Sequence, residues 1–70
     1  MNHLQKLGAN LLKHRERCGM SLRDVEEDQG LSKPSISEWE NGKTEPGALK
    51  LHALAACYGV PVDRFFEGVG

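Results

Sequence analysis

No apolar run in this chain of 70 residues approaches the roughly 20 needed to cross a bilayer. The opening stretch Met1-Asn2-His3-Leu4-Gln5-Lys6 lacks the apolar segment of a signal peptide. A cytoplasmic location without membrane contact is therefore expected. Cysteine is scarce. Cys18 and Cys57 stand far apart with no C-x-x-C pair, which reads as free thiols in a reducing compartment rather than a disulfide. His3, His14 and His52 share no metal-ligand spacing with each other or with the cysteines, so no metal and no cofactor is expected. β-branched residues are few and no apolar alternation of useful length occurs, which argues against a sheet. No spacing joins a nucleophile to a base, and Gly8, Gly19, Gly30 and Gly42 read as helix ends rather than a phosphate-cradling loop. A chain this short buries roughly 60% of its unfolded surface, which leaves little core to enclose a substrate. An enzyme is not expected.

Charge of neither sign dominates: nine Lys and Arg against ten Asp and Glu, a net of -1. Its distribution is uneven. Residues 1–23 carry Lys6, Lys13, Arg15, Arg17 and Arg23 against Glu16, a net of +4. Residues 24–45 carry seven acids against Lys33 and Lys43, a net of -5. A basic patch is the usual footprint of a nucleic-acid binder, so the acidic middle of the chain weighs against that function.

What is present is helical spacing throughout. Leu4, Leu7, Leu11 and His14 or Arg15 form one stripe of a helix over about residues 3–17, with Gly19 as its terminator. Ser21 with Asp24 resembles a capping box opening a second helix, which buries Leu22 and Val25 and ends at Gly30. A third starts at Ser32 or Lys33, tolerates Pro34 in its first turn, buries Ile36 and Trp39, and breaks at Asn41-Gly42. Pro46 is expected to open a fourth helix with an inner stripe of Ala48, Leu51, Leu54, Ala55 and Tyr58. Pro61 is expected to open a short fifth with Val62, Phe65 and Phe66. The expectation is an all-α, compact five-helix, lambda-repressor-like domain over 1–70, with its core in 4–67. Two short helices joined by a tight turn at Gly30 are the layout of a DNA-reading helix-turn-helix.

The pattern resembles the phage-repressor and Cro-like helix-turn-helix family of the xenobiotic-response-element type. The landmarks run through Leu7-Gly8, Leu11, Arg15, Gly19-Met20-Ser21, Val25, Gly30-Leu31-Ser32, Ile36-Ser37, Glu40-Asn41-Gly42-Lys43, Pro46, Leu51, Leu54-Ala55, Gly59-Val60 and Phe65-Phe66. There are departures. The family favours a small residue where Glu26 stands, leucine at Gln29, glutamine at Leu22, and a basic or amide residue at Glu38. The first two predict a looser crossing of helices 2 and 3. The last two remove DNA contacts.

The resemblance implies a transcriptional regulator, by default a repressor, that binds a pseudo-palindromic operator in double-stranded DNA as a homodimer. Lys33, Pro34, Ser37 and Glu38 are the candidate base readers. Lys33 suits guanine O6 and N7, the Pro34 ring suits a thymine methyl, and Glu38 suits cytosine N4. Their plainer readings are a solvated lysine, a helix-fixing proline and a solvated acid beside the groove. Ser21, Arg23, Ser35, Asn41, Lys43 and Thr44 are the candidate phosphate contacts, with backbone N–H groups of the loop after helix 3 taking part. Arg15 and Glu40 match positions of a buried ion pair. Trp39 reads as core. Leu49, His52, Val62, Phe65 and Phe66 supply a candidate dimer seam, although adjacent Phe65 and Phe66 cannot both point one way. The rival reading is a protein-interaction module on the same fold, an antitoxin or antirepressor. A toxin, an antirepressor or RNA polymerase would then be the partner.

Overall fold

A computed structural model describes residues 2–70 of the chain. Helix α1 spans His3–Arg17. Asn2 caps it reciprocally: Gln5 N–H donates to Asn2 Oδ1 at 2.8 Å, and Asn2 N–H donates to Gln5 Oε1 at 3.2 Å. Helix α2 spans Leu22–Gln29 behind the same device, with Ser21 N–H donating to Asp24 Oδ2 and Asp24 N–H to Ser21 Oγ. Gly30, at φ +71°, ends α2 in a left-handed conformation that other residues adopt only with strain.

Helix α3 spans Lys33–Glu40, and its cap is Ser32, not Lys33. It closes in a Schellman turn: Gly42 N–H donates to the Trp39 carbonyl and Lys43 N–H to the Glu38 carbonyl. Helix α4 spans Ala48–Tyr58. Two expectations fail there. Pro46 does not open the helix. It is buried ahead of it, and Gly47 holds the cap position. Ala48 is exposed at the first turn, so the inner stripe runs from half-buried Leu51 to buried Leu54, Ala55 and Tyr58.

The expected fifth helix is instead a 3-10 turn, Val62–Phe66. The reason lies in α1. The Asn10 amide is buried, and its Nδ2 donates to the carbonyls of Phe65 and Glu67 at 2.8 Å each. Those carbonyls are held from across the molecule, so the turn is fixed without the longer helix that i→i+4 bonding would need. The described residues thus form four α-helices and one 3-10 turn, with no strand among them. No helix among the described residues is long and apolar enough to cross a membrane.

Leu7, Leu11, Val25, Ile36, Trp39, Leu54, Ala55, Tyr58 and Phe65 form the core. Phe65 is fully buried, with the rings of His14 and Tyr58 edge-on to it at 5.7 and 6.1 Å. Its burial contributes roughly 1.5–3 kcal/mol. Gly8 sets the approach of α1 to α3. A Cβ there would collide with the Trp39 carbonyl oxygen and lie 2.7 Å from that of Glu40.

Candidate nucleic-acid interface

Helix α3 packs against α1 and α2, and the arrangement leaves one edge outward. Ile36 and Trp39 point into the core, while Lys33, Pro34 and Glu38 are exposed and Ser37 is half-buried beside them. Eight helical residues span about 12 Å, close to the width of a major groove. Lys50 Nζ lies 5.7 Å above the buried Trp39 ring, a cation–π contact on the face of the indole.

Arg15 and Glu40 lock the inner side of α3 to α1. Arg15 Nε donates to Glu40 Oε2 at 2.8 Å and Nη2 to Oε1 at 3.1 Å, a bidentate fork. Arg15 Nη1 also donates to the Met20 carbonyl at 2.8 Å, so one guanidinium joins α1, the α1–α2 connection and α3. The hydrogen bond to Glu40, with burial opposing it, holds the Arg15 guanidinium above its ordinary value. Tyr58 lies nearby with its hydroxyl buried and no partner among the described residues. Burial first, and the Glu40 carboxylate second, push that phenol up.

The phosphate candidates are placed unequally. Ser21 Oγ accepts from Asp24 N–H at the exposed start of α2. That hydrogen bond network at Ser21 holds Asp24 below the usual carboxylate range. Arg23 is exposed and pairs with Glu27 one turn on, Nε to Oε1 at 3.1 Å. A pair so solvated stabilises little and yields readily. Ser35 Oγ is hydrogen-bonded to Ser32 Oγ at 2.7 Å. Lys43 and Thr44 are exposed in the loop after α3.

Asn41 requires a correction. Its Nδ2 donates to the carbonyl and hydroxyl oxygens of Ser37, so the side chain turns back onto α3 instead of offering a donor outward. The loop's backbone requires another. The N–H groups of Asn41, Gly42 and Lys43 all close α3, on Ser37, Trp39 and Glu38 carbonyls, which leaves Thr44 N–H as the amide of this loop that closes no bond among the described residues. The Schellman turn uses the amides of Gly42 and Lys43, two of those that the family resemblance assigns to DNA.

Of the candidate seam, Leu49 is 86% exposed, Phe66 42% and Val62 37%, and His52 is exposed. Phe65 does not belong with them, because the core consumes the whole ring. Phe66 edges an apolar groove of about 500 Å³ that His3, Leu4, Leu7, Glu45 and Val69 also line.

Two roles escaped sequence reasoning, those of Asn10 and Glu26, and one was left open, that of His14. Asn10 anchors the 3-10 turn, and a lone amide on an apolar stripe gives no signal of that. His14 is buried, 5% exposed, with Nε2 unpartnered among the described residues. Burial, then Arg17 and Lys13, hold its imidazole below the ordinary value against the pull of Glu67. Glu26 does not loosen the crossing of α2 and α3. Its Oε2 accepts from Lys33 N–H at 3.1 Å and ties the two helices together. The thiols remain free: Cys18 donates to the Tyr58 carbonyl, and Cys57, pushed up to about 11 by burial, sits 3.7 Å from Met20 sulfur.

Among known proteins, the family profile described as helix-turn-helix matches residues 11–65. The HTH-type transcriptional regulator DdrOP3 of Deinococcus deserti is 36% identical over 64 residues, covering 91% of this chain and 50% of that protein. The chain spans about half the length of the curated relatives it matches. Among solved structures, the clp gene regulator ClgR of C. glutamicum superposes with a TM-score of 0.85 at 29% identity, over 96% of this chain and 87% of that one. The restriction-modification controller protein C.AhdI of Aeromonas hydrophila, at 22% identity, shares the fold with a TM-score of 0.84 over 90% and 96% of the two chains. The outward edge on α3, the cap-turn-cap geometry before it and these similarities converge: the chain belongs to the helix-turn-helix family of XRE/Cro-C1 type, whose members are DNA-binding transcription regulators.

Proposed function

We infer that this protein is a sequence-specific transcriptional regulator that represses by occupying an operator in duplex DNA. One observation carries the reading: α3 buries Ile36 and Trp39, is clamped by the Arg15–Glu40 fork, and presents Lys33, Pro34, Ser37 and Glu38 outward. Lys33 and Glu38 supply a donor and an acceptor about one and a half turns apart, suited to guanine O6/N7 and cytosine N4. Ser21, Arg23, Ser35, Lys43 and Thr44 contact the flanking phosphates, which orient the protein without reading sequence. Few cations take part and the chain is not basic, so useful affinity calls for two copies. Leu49, Val62 and Phe66, with His52 beside them, provide the apolar surface for the pair. Two-fold symmetry then places the half-sites about one DNA turn, ~34 Å, apart.

A protein partner is the second reading, favoured by the exposed carboxylates of Asp24, Glu27 and Asp28 along α2. Selection from a random duplex pool, repeated at two salt concentrations, separates the two. A DNA reader enriches a pseudo-palindrome, and its Glu38→Ala variant loses preference at one base pair per half-site. Recovery of no enriched sequence at low salt would sink the DNA reading.

A further inference from the structure

At the N-terminus of α3 the helical amides of Lys33 and Ser35 are already taken, and only that of the cap residue Ser32 makes no hydrogen bond among the described residues. Helix starts leave N–H groups without intrahelical partners, and such groups attract phosphate. Here Lys33 N–H donates to Glu26 Oε2 at 3.1 Å, and Ser35 N–H donates to Ser32 Oγ at 3.3 Å. Pro34 between them has no N–H, and Ile36 N–H already bonds the Ser32 carbonyl at 3.1 Å. Ser32 is an ordinary local cap. Glu26 is not, because it reaches from α2 across the turn. It sets a full negative charge against the partial positive charge of the helix end. That match favours the start of α3 and repels a second anion there.

We propose that Glu26 is a positioning residue that closes the N-terminus of α3 to phosphate. This rests on the reading that α3 enters a DNA groove. With its end plugged, the helix cannot be drawn onto the sugar-phosphate backbone by its own dipole. The backbone must be held by side chains, that of Ser35 among them, and Lys33 and Pro34 are left for bases.

Two variants separate the hydrogen bond from the charge. Glu26→Gln keeps an acceptor for Lys33 N–H and loses the charge, whereas Glu26→Ala loses both. Sodium sulfate, with sodium chloride at matched ionic strength as control, is titrated into ¹⁵N-labelled protein without DNA. The Lys33 amide resonance should stay still in the native protein and in Glu26→Gln, and move saturably in Glu26→Ala. With duplex DNA, Glu26→Gln should bind any sequence roughly three- to tenfold tighter at an unchanged salt slope. Glu26→Ala should steepen that slope by about 0.9, the signature of one added phosphate contact. A purely structural role would change melting temperature and leave the slopes alone. Sulfate-specific movement of Lys33 in the native protein overturns the proposal, and does so even if Glu26→Ala fails to fold. Equal slopes in the native and folded Glu26→Ala proteins also overturn it. If the native protein binds no duplex at low salt while the sulfate pattern holds, the DNA reading falls and the plug stands.

Discussion

Glu40→Ala is the most discriminating perturbation of the scaffold. Side chains of Arg15 and Glu40 are 14% and 7% exposed, so removal of the carboxylate leaves a guanidinium largely out of water. Of its three hydrogen bonds only that to the Met20 carbonyl survives. Breaking one partner of a buried pair costs roughly 3–5 kcal/mol. The residual exposure of Arg15 argues for the lower end, about 3 kcal/mol. A domain of this length has a total stability of about 4–10 kcal/mol. The variant should therefore lose a large part of its stability, with a melting temperature lower by about 12–24 °C. Thermal unfolding followed by circular dichroism reads this directly. Replacing both residues by methionine should recover most of the loss, because an apolar pair leaves no buried charge behind. A drop under about 4 °C for Glu40→Ala, together with additive losses in the double variant, would refute the reasoning. The fork would then be a surface pair with no hold on α3.

Two further outcomes follow from burial. Gly8→Ala should destabilise by about 1–3 kcal/mol in denaturant melts although alanine favours helix, because its Cβ meets α3 carbonyls that cannot move independently. A gain in stability would mean that α1 and α3 cross less closely. His14 has an ordinary value of 6.5 in the unfolded chain and a lower one in the fold. Below about pH 6.5 the unfolded chain therefore binds more protons, and stability falls by up to about 1.4 kcal/mol per pH unit until the folded value is passed. Above that range the contribution is complete. Arg17, Lys13 and Arg64 around the ring reinforce the effect and Glu67 opposes it. Melting temperatures from about pH 7.5 to 5 should fall in the native protein and flatten over that window in His14→Phe. Identical profiles would clear His14 of the role.

The sequence by itself determined roughly where α1 to α4 run, the capping box that opens α2 and which edge of α3 faces outward. These are local matters. Ser21 with Asp24, Ser32 ahead of Pro34, and glycine after α2 and α3 act within one turn of chain, and the step from Ile36 to Trp39 turns the rest of α3 outward. The Arg15–Glu40 fork was legible through family resemblance alone, since nothing local links residues 25 positions apart. Only the tertiary structure decided what each polar group has left to offer. Asn10 replaced a fifth helix with a 3-10 turn by taking its carbonyls from across the core. Phe65 and Phe66, equivalent as letters, were divided by which one the rings of His14 and Tyr58 enclose. The Asn41 side chain and the amides of Gly42 and Lys43 were turned onto α3 where it ends, and the Lys33 amide onto Glu26 where it begins. The physical reason is common to all of them. A hydrogen-bonding group has a fixed small capacity, and whether that capacity is free depends on neighbours that the linear order of residues does not name.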